Sequence, residues 1–180
     1  MTRFLPLAAL LVALMPALAV AVECRRLREI SPDTELRACP AKQVVELALR
    51  GGDPGAVLAE GRKRLDAVLG GGLGQRPLRL TGIAPDWRVG VLLAEDALPP
   101  VMPAGVEVRP VPARTVAVLG FRGRWSTVRY AERQQALRRD LQKAGIGIIG
   151  SPWLVRYPRV LLPDVLQRSE VQVEIASGRL

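Results

Sequence analysis

Short β-rich runs and stretches of helical periodicity follow one another along this chain in an order that occurs twice. Gln43 to Leu49 is apolar and β-branched enough for a strand, with Pro40 before it and Gly51-Gly52-Asp53-Pro54-Gly55 ending it. Asp53-Pro54 then suits a helix start, and Leu58, Leu65 and Leu69 fall on one face until Gly70-Gly71-Gly72 stops the period. Two more strands are predicted over 77–83 and 87–94. After a joint containing Pro99, Pro100 and Pro103, the second round predicts a strand over 108–121 and a helix over 126–143, with Tyr130, Leu137 and Leu141 on its apolar face. A turn-rich exit follows over 145–150, then strands over 153–157 and 171–175.

The recurrence extends to residue identity. Residues 35–69 and 107–141 align without a gap, and the shared residues include Glu35/Glu107, Arg37/Arg109, Pro40/Pro112, Arg50/Arg122, Glu60/Glu132 and Leu65/Leu137. Each copy is one supersecondary unit that needs a partner to bury its apolar face. Two βαββ units, about 35–95 and 107–176, predict a pseudo-symmetric α+β domain: a distorted antiparallel barrel or sheet carrying two helices. A ligand cleft is expected where the halves meet.

The N-terminus adds the pattern of an export address to this domain: Arg3, an apolar stretch from Phe4 to Val22, and small residues allowing cleavage after Ala19 or Ala21. We expect a signal peptide over 1–21, a mature domain over 22–180, export to a periplasmic or extracellular space, and no stable membrane insertion after cleavage. The alternative is an uncleaved N-terminal anchor, since the run nearly spans a bilayer and Arg25, Arg26 and Arg28 follow it. Cys24 and Cys39 are the only cysteines, and an oxidising destination predicts a disulfide between them; the alternative is two free thiols.

Charge narrows the partners. The chain carries 26 Lys and Arg against 17 acids, a net charge of +9, which favours an acidic ligand. Nucleic acid is not expected, because like charges form no long run and stacking aromatics are few. Histidine is absent, which removes the commonest general base and metal ligand, and no P-loop or nucleophile elbow occurs. Glu60 and Glu132 could form a carboxylate pair, but Glu60 also has Arg64 four residues on, the spacing of a helix ion pair. The first helix offers another arrangement: Gly61 and Arg62 lie between Leu58 and Leu65 on one face, leaving room beside the helix and a guanidinium for a carboxylate. Close packing at Gly61 with Arg62 snorkelling to the edge would use the same residues structurally.

The run Val111-Pro112-Ala113-Arg114-Thr115-Val116-Ala117-Val118, with Phe121 to Trp125, then Val155-Arg156-Tyr157 and Leu166-Gln167-Arg168-Ser169-Glu170-Val171, resembles the second half of the SOUL haem-binding family. Leu80-Thr81-Gly82-Ile83-Ala84 resembles a strand of its first half. Pro158, Leu161 and Ser169 depart from the family pattern. The resemblance implies binding of haem or another tetrapyrrole, a planar apolar ligand with acidic groups, in an apolar groove, without enzymatic activity. Ligand contacts are expected from Leu58, Gly61, Arg62, Leu65, Arg64, Tyr157 and Arg168, with Arg62 foremost. Lacking histidine, the chain offers the iron only Tyr157, Tyr130 or Met102 as weak axial candidates. Two other functions are carried alongside: a gyrase-inhibitor-like small-molecule binder or weak hydrolase, and an interaction protein without a pocket.

Overall fold

A computed structural model describes residues 23–123, 126–158 and 166–176. The predicted signal segment, Arg124, Trp125 and Leu161 lie outside the described residues. The elements run β1 (Arg25–Ser31), β2 (Thr34–Cys39), β3 (Lys42–Arg50), α1 (Pro54–Val68), β4 (Leu78–Ile83), β5 (Asp86–Leu93), β6 (Val106–Val111), β7 (Arg114–Arg122), α2 (Thr127–Lys143), β8 (Ile148–Arg156) and β9 (Arg168–Ile175), with a short 3-10 turn at Glu95–Ala97. Both helix starts follow from local chemistry. Asp53 caps α1 by accepting from the Ala56 N–H at 2.6 Å, and Pro54 enters where no helical donor is needed. Ser126 caps α2 by accepting from the Arg129 N–H at 3.1 Å.

All strands join one antiparallel sheet in the order β1-β2-β7-β9-β8-β4-β5-β3-β6. It does not close into a barrel, because β1 and β6 remain free edges. The duplication explains the order. Strands β2 and β6 are equivalent in the repeat, as are β3 and β7, yet β2 pairs with β7 and β6 with β3. Each copy lends its first strand to the other copy's half of the sheet, and β4 meets β8 at the centre through Leu78↔Arg156 to Leu80↔Leu154.

The predicted strand over 108–121 is two strands. Pro112 interrupts it, as Pro40 separates β2 from β3, because proline supplies no N–H to a ladder. That break is what permits the exchange.

Both helices lie on one face. Val45 and Leu47 of β3, Val89 and Val91 of β5, Leu119 and Phe121 of β7, and Val171 and Val173 of β9 form a single core with Leu58, Leu65, Leu137 and Leu141 from the helices. Cys24 and Cys39 are bridged, fastening the start of β1 to the end of β2. Closing a loop of 15 residues in sequence separation stabilises a fold by about 3 kcal/mol through the unfolded chain's entropy. The double variant Cys24→Ser/Cys39→Ser is therefore expected to unfold in urea with about that much stability lost.

Candidate functional site

Alternation along the strands sends the remaining side chains to the face opposite the helices. Here the repeated residues Glu35/Glu107 and Arg37/Arg109 take up two related networks. In one half, Glu46, only 2% exposed, accepts from Arg109 Nε at 2.8 Å and Arg88 Nη1 at 2.9 Å, and Arg88 also reaches Glu107 at 2.5 Å. In the other half Val118 stands where Glu46 would be, and the buried carboxylate comes from β9 instead. Glu170, 0% exposed, accepts from Arg37 through both terminal nitrogens at 3.1 and 3.2 Å, from Arg168 at 2.5 Å, from the Tyr157 hydroxyl at 2.9 Å and from Gln172 at 2.7 Å. Burial would raise the Glu170 carboxyl, but the charge and hydrogen bonds of Arg37, then Arg168 and Gln172, outweigh it and hold it below the ordinary range. Burial, followed by the Glu170 charge, raises the Tyr157 hydroxyl, so it remains a neutral donor.

Beside this second network opens a cleft of about 470 Å³, within the range of small-molecule sites. Val118 and Gly120 contribute apolar surface, Arg26, Arg37, Arg122 and Arg168 contribute guanidinium groups, and Asp33 and Glu35 also line it, with Glu35 already paired to Arg26 and Arg37. A Cβ added at Gly120 would meet nothing within 4 Å, so the space above this glycine is open.

The two halves differ most at this point. In the first, Arg50 lies across from Asp86 and pairs with it at 3.1 Å. At the corresponding places in the second, Arg122 lies across from Arg168. Like charges directly opposite one another on a sheet are unfavourable. Arg168 shares Glu170 with Arg37, and Arg122 has no carboxylate partner among the described residues.

The residues singled out from the sequence are distributed over both faces. Leu58 and Leu65 are buried in the core, and a Cβ at Gly61 would lie 2.5 Å from Val89 Cγ1, so α1 approaches β5 too closely to leave a vacancy there. Arg62 reaches back from α1 to donate to the Gly74 carbonyl, and its Nη1 is buried without a partner. Arg64 pairs with Glu60 at 2.6 Å on the helix surface, while Glu132 is exposed on α2. Tyr157 and Arg168 do come together, around Glu170 on the opposite face. Tyr130 donates to the Pro152 carbonyl at 3.4 Å, burial raises its hydroxyl to about 12, and Met102 packs against the core. Arg26, Arg37 and Arg122 stand outside the residues that the sequence singles out for the site, although Arg37 and Arg122 both recur in the repeat.

Residues 22–174 match the SOUL heme-binding protein family. The chain belongs to this family. A comparison with curated proteins finds no match. Among solved structures, the SOUL fold of this chain is similar to the EcmrR C-terminal domain, at 12% identity and a TM-score of 0.54, covering 81% of this chain and 98% of that one. EcmrR in complex with DNA gives 13% identity and a TM-score of 0.63, but there the match spans 79% of this chain and 56% of EcmrR. A hydrolase from Listeria innocua is similar at 10% identity and a TM-score of 0.53, covering 80% of this chain and 92% of the hydrolase. At these identities the likeness is one of fold. Among the described residues no group of three or more Cys, Asp or Glu side chains is arranged to hold a metal ion, and no helix is long and apolar enough to cross a membrane.

Proposed function

We propose that this protein is an exported, non-enzymatic binder of haem or a related tetrapyrrole, and that the ligand enters the cleft above Val118 and Gly120 with a carboxylate between Arg122 and Arg168. The observation that carries the reading is the replacement of an Arg–Asp pair in one half by an Arg–Arg pair in the other, at the edge of an open cleft. The missing negative charge is one the ligand would supply. Guanidinium forks suit carboxylates, and the small Gly120 leaves a surface on which a flat ring can rest. Family membership supplies the ligand class, and the disulfide is compatible with an oxidising, extracytoplasmic compartment. The residues present fit the porphyrin's faces and acidic groups better than its iron: the nearby Tyr157 hydroxyl is engaged with Glu170, and imidazole is lacking from the sequence.

Titration of the mature protein with haemin, followed by absorbance, tests this. Arg122→Ala is expected to weaken binding by roughly 1.5 to 3 kcal/mol, the range for a hydrogen bond to a charged group. Arg122→Asp should remove binding while leaving the fold intact, because it recreates with Arg168 the ion pair of the other half. Metal-free protoporphyrin should bind within a few-fold of haem. Undetectable binding at micromolar protein, or binding indifferent to both Arg122 variants, would overturn the proposal. A second reading keeps Arg62 as the carboxylate donor, supported by its buried, unpartnered Nη1; loss of binding in Arg62→Ala but not in Arg122→Ala would favour it.

A further inference from the structure

A different guanidinium lies at the centre of the same sheet face. Arg79 sits on β4 between Gly90 of β5 and Val155 of β8, in the strand pair where the two halves join. Its guanidinium stacks over the Trp153 ring at 4.5 Å from the centroid, and Arg114, reaching across from β7, stacks over the same ring at 4.6 Å. Trp153 is held in place by donating to Gln172 at 3.2 Å. Arg79 Nε is buried without a hydrogen-bond partner, and no carboxylate pairs with Arg79 among the described residues. The nearby acids are already committed, Glu46 to Arg88 and Arg109, and Glu174 to Arg114 at 3.4 Å.

An aromatic face offsets part of the cost of burying a guanidinium. It does not satisfy the hydrogen-bond donors, and two cations drawn to one ring repel each other. Burial foremost, then the charge of Arg114, pushes the Arg79 guanidinium down to about 10. What would complete the arrangement is a group with negative charge and acceptor oxygens.

We propose that Arg79 and Arg114, gathered on Trp153, form a second anion site that takes the carboxylate or phosphate group of a small molecule. Arg114 and Arg122 stand at opposite ends of β7, so this site is separate from the tetrapyrrole cleft and its evidence does not depend on that reading. The ligand would contact both halves of the duplicated domain, since Arg79 belongs to the first copy and Arg114 and Trp153 to the second.

The test follows thermal unfolding and tryptophan fluorescence of the mature protein during titration with inorganic phosphate, acetate or chloride at constant ionic strength. Phosphate, acetate or both should raise the midpoint by several degrees in a saturable manner, as expected for a ligand that binds only the folded state, and chloride should not. A response to acetate would assign a carboxylate, and a response to phosphate alone a phosphoryl group. Arg79→Met should abolish the response without lowering the midpoint in anion-free buffer, because it removes an uncompensated buried charge. Arg122→Asp should retain it. The proposal is overturned if no oxyanion gives a saturable rise, if the rise survives Arg79→Met, or if Arg79→Met unfolds earlier in anion-free buffer, which would make the stack a structural element.

Discussion

Glu170→Ala is expected to destabilise the fold by about 3 to 5 kcal/mol, the cost of removing one partner from a buried ion pair. The loss comes less from the carboxylate's own contacts than from what stays behind. Arg37 would keep only Glu35, while Arg168 and the Tyr157 hydroxyl would lose the acceptor they share. The same residue predicts a pH dependence. Its carboxyl in the folded protein lies below the ordinary value of about 4.3. The stabilisation is therefore fully present above the unfolded value and declines as pH falls through the lowered folded one. Urea unfolding at neutral pH and near pH 3 should show the gap between wild type and Glu170→Gln narrowing in acid. A gap that widened would mean that burial, rather than the arginines, dominates this carboxyl.

The face that carries Glu170 shows what could be read from the sequence. The duplication predicted two α+β units with two helices and located both helices to within a residue or two, because helical spacing and the Asp53-Pro54 and Ser126 starts are local signals. Strands β1 and β2 carry no such signal: Arg25–Ser31 and Thr34–Cys39 are dense in charge, with Leu27 and Leu36 too isolated to mark a strand. The exchange of β2 and β6 between halves is a long-range pairing with no local signature. The cleft was illegible for a related reason. Arg122 lies inside the ungapped repeat, but Arg168 lies beyond it, so their opposition appears only once β9 is in register with β7. The repeat drew attention to what the copies share, whereas the candidate site arises where they differ, at Asp86 and Arg168, Ala48 and Gly120, Glu46 and Val118.

Leu65→Ala is expected to cost about 2 to 5 kcal/mol, as for other buried leucine truncations. Leu65 is fully buried in the core with Leu58 and Val89, and Leu137 holds the equivalent place on α2. Removing the Leu65 side chain leaves a cavity beneath a helix that Gly61 has already brought near the sheet, where little collapse is available to fill it. The experiment also separates the two faces of the molecule. If α1 serves packing, Leu65→Ala should lower the urea midpoint while haemin affinity, measured well below the unfolding transition, stays within a few-fold of wild type. Should affinity fall sharply with stability unchanged, the apolar stripe of Leu58, Gly61, Arg62 and Leu65 would be the tetrapyrrole surface. The cleft beside Arg122 and Arg168 would then need another occupant.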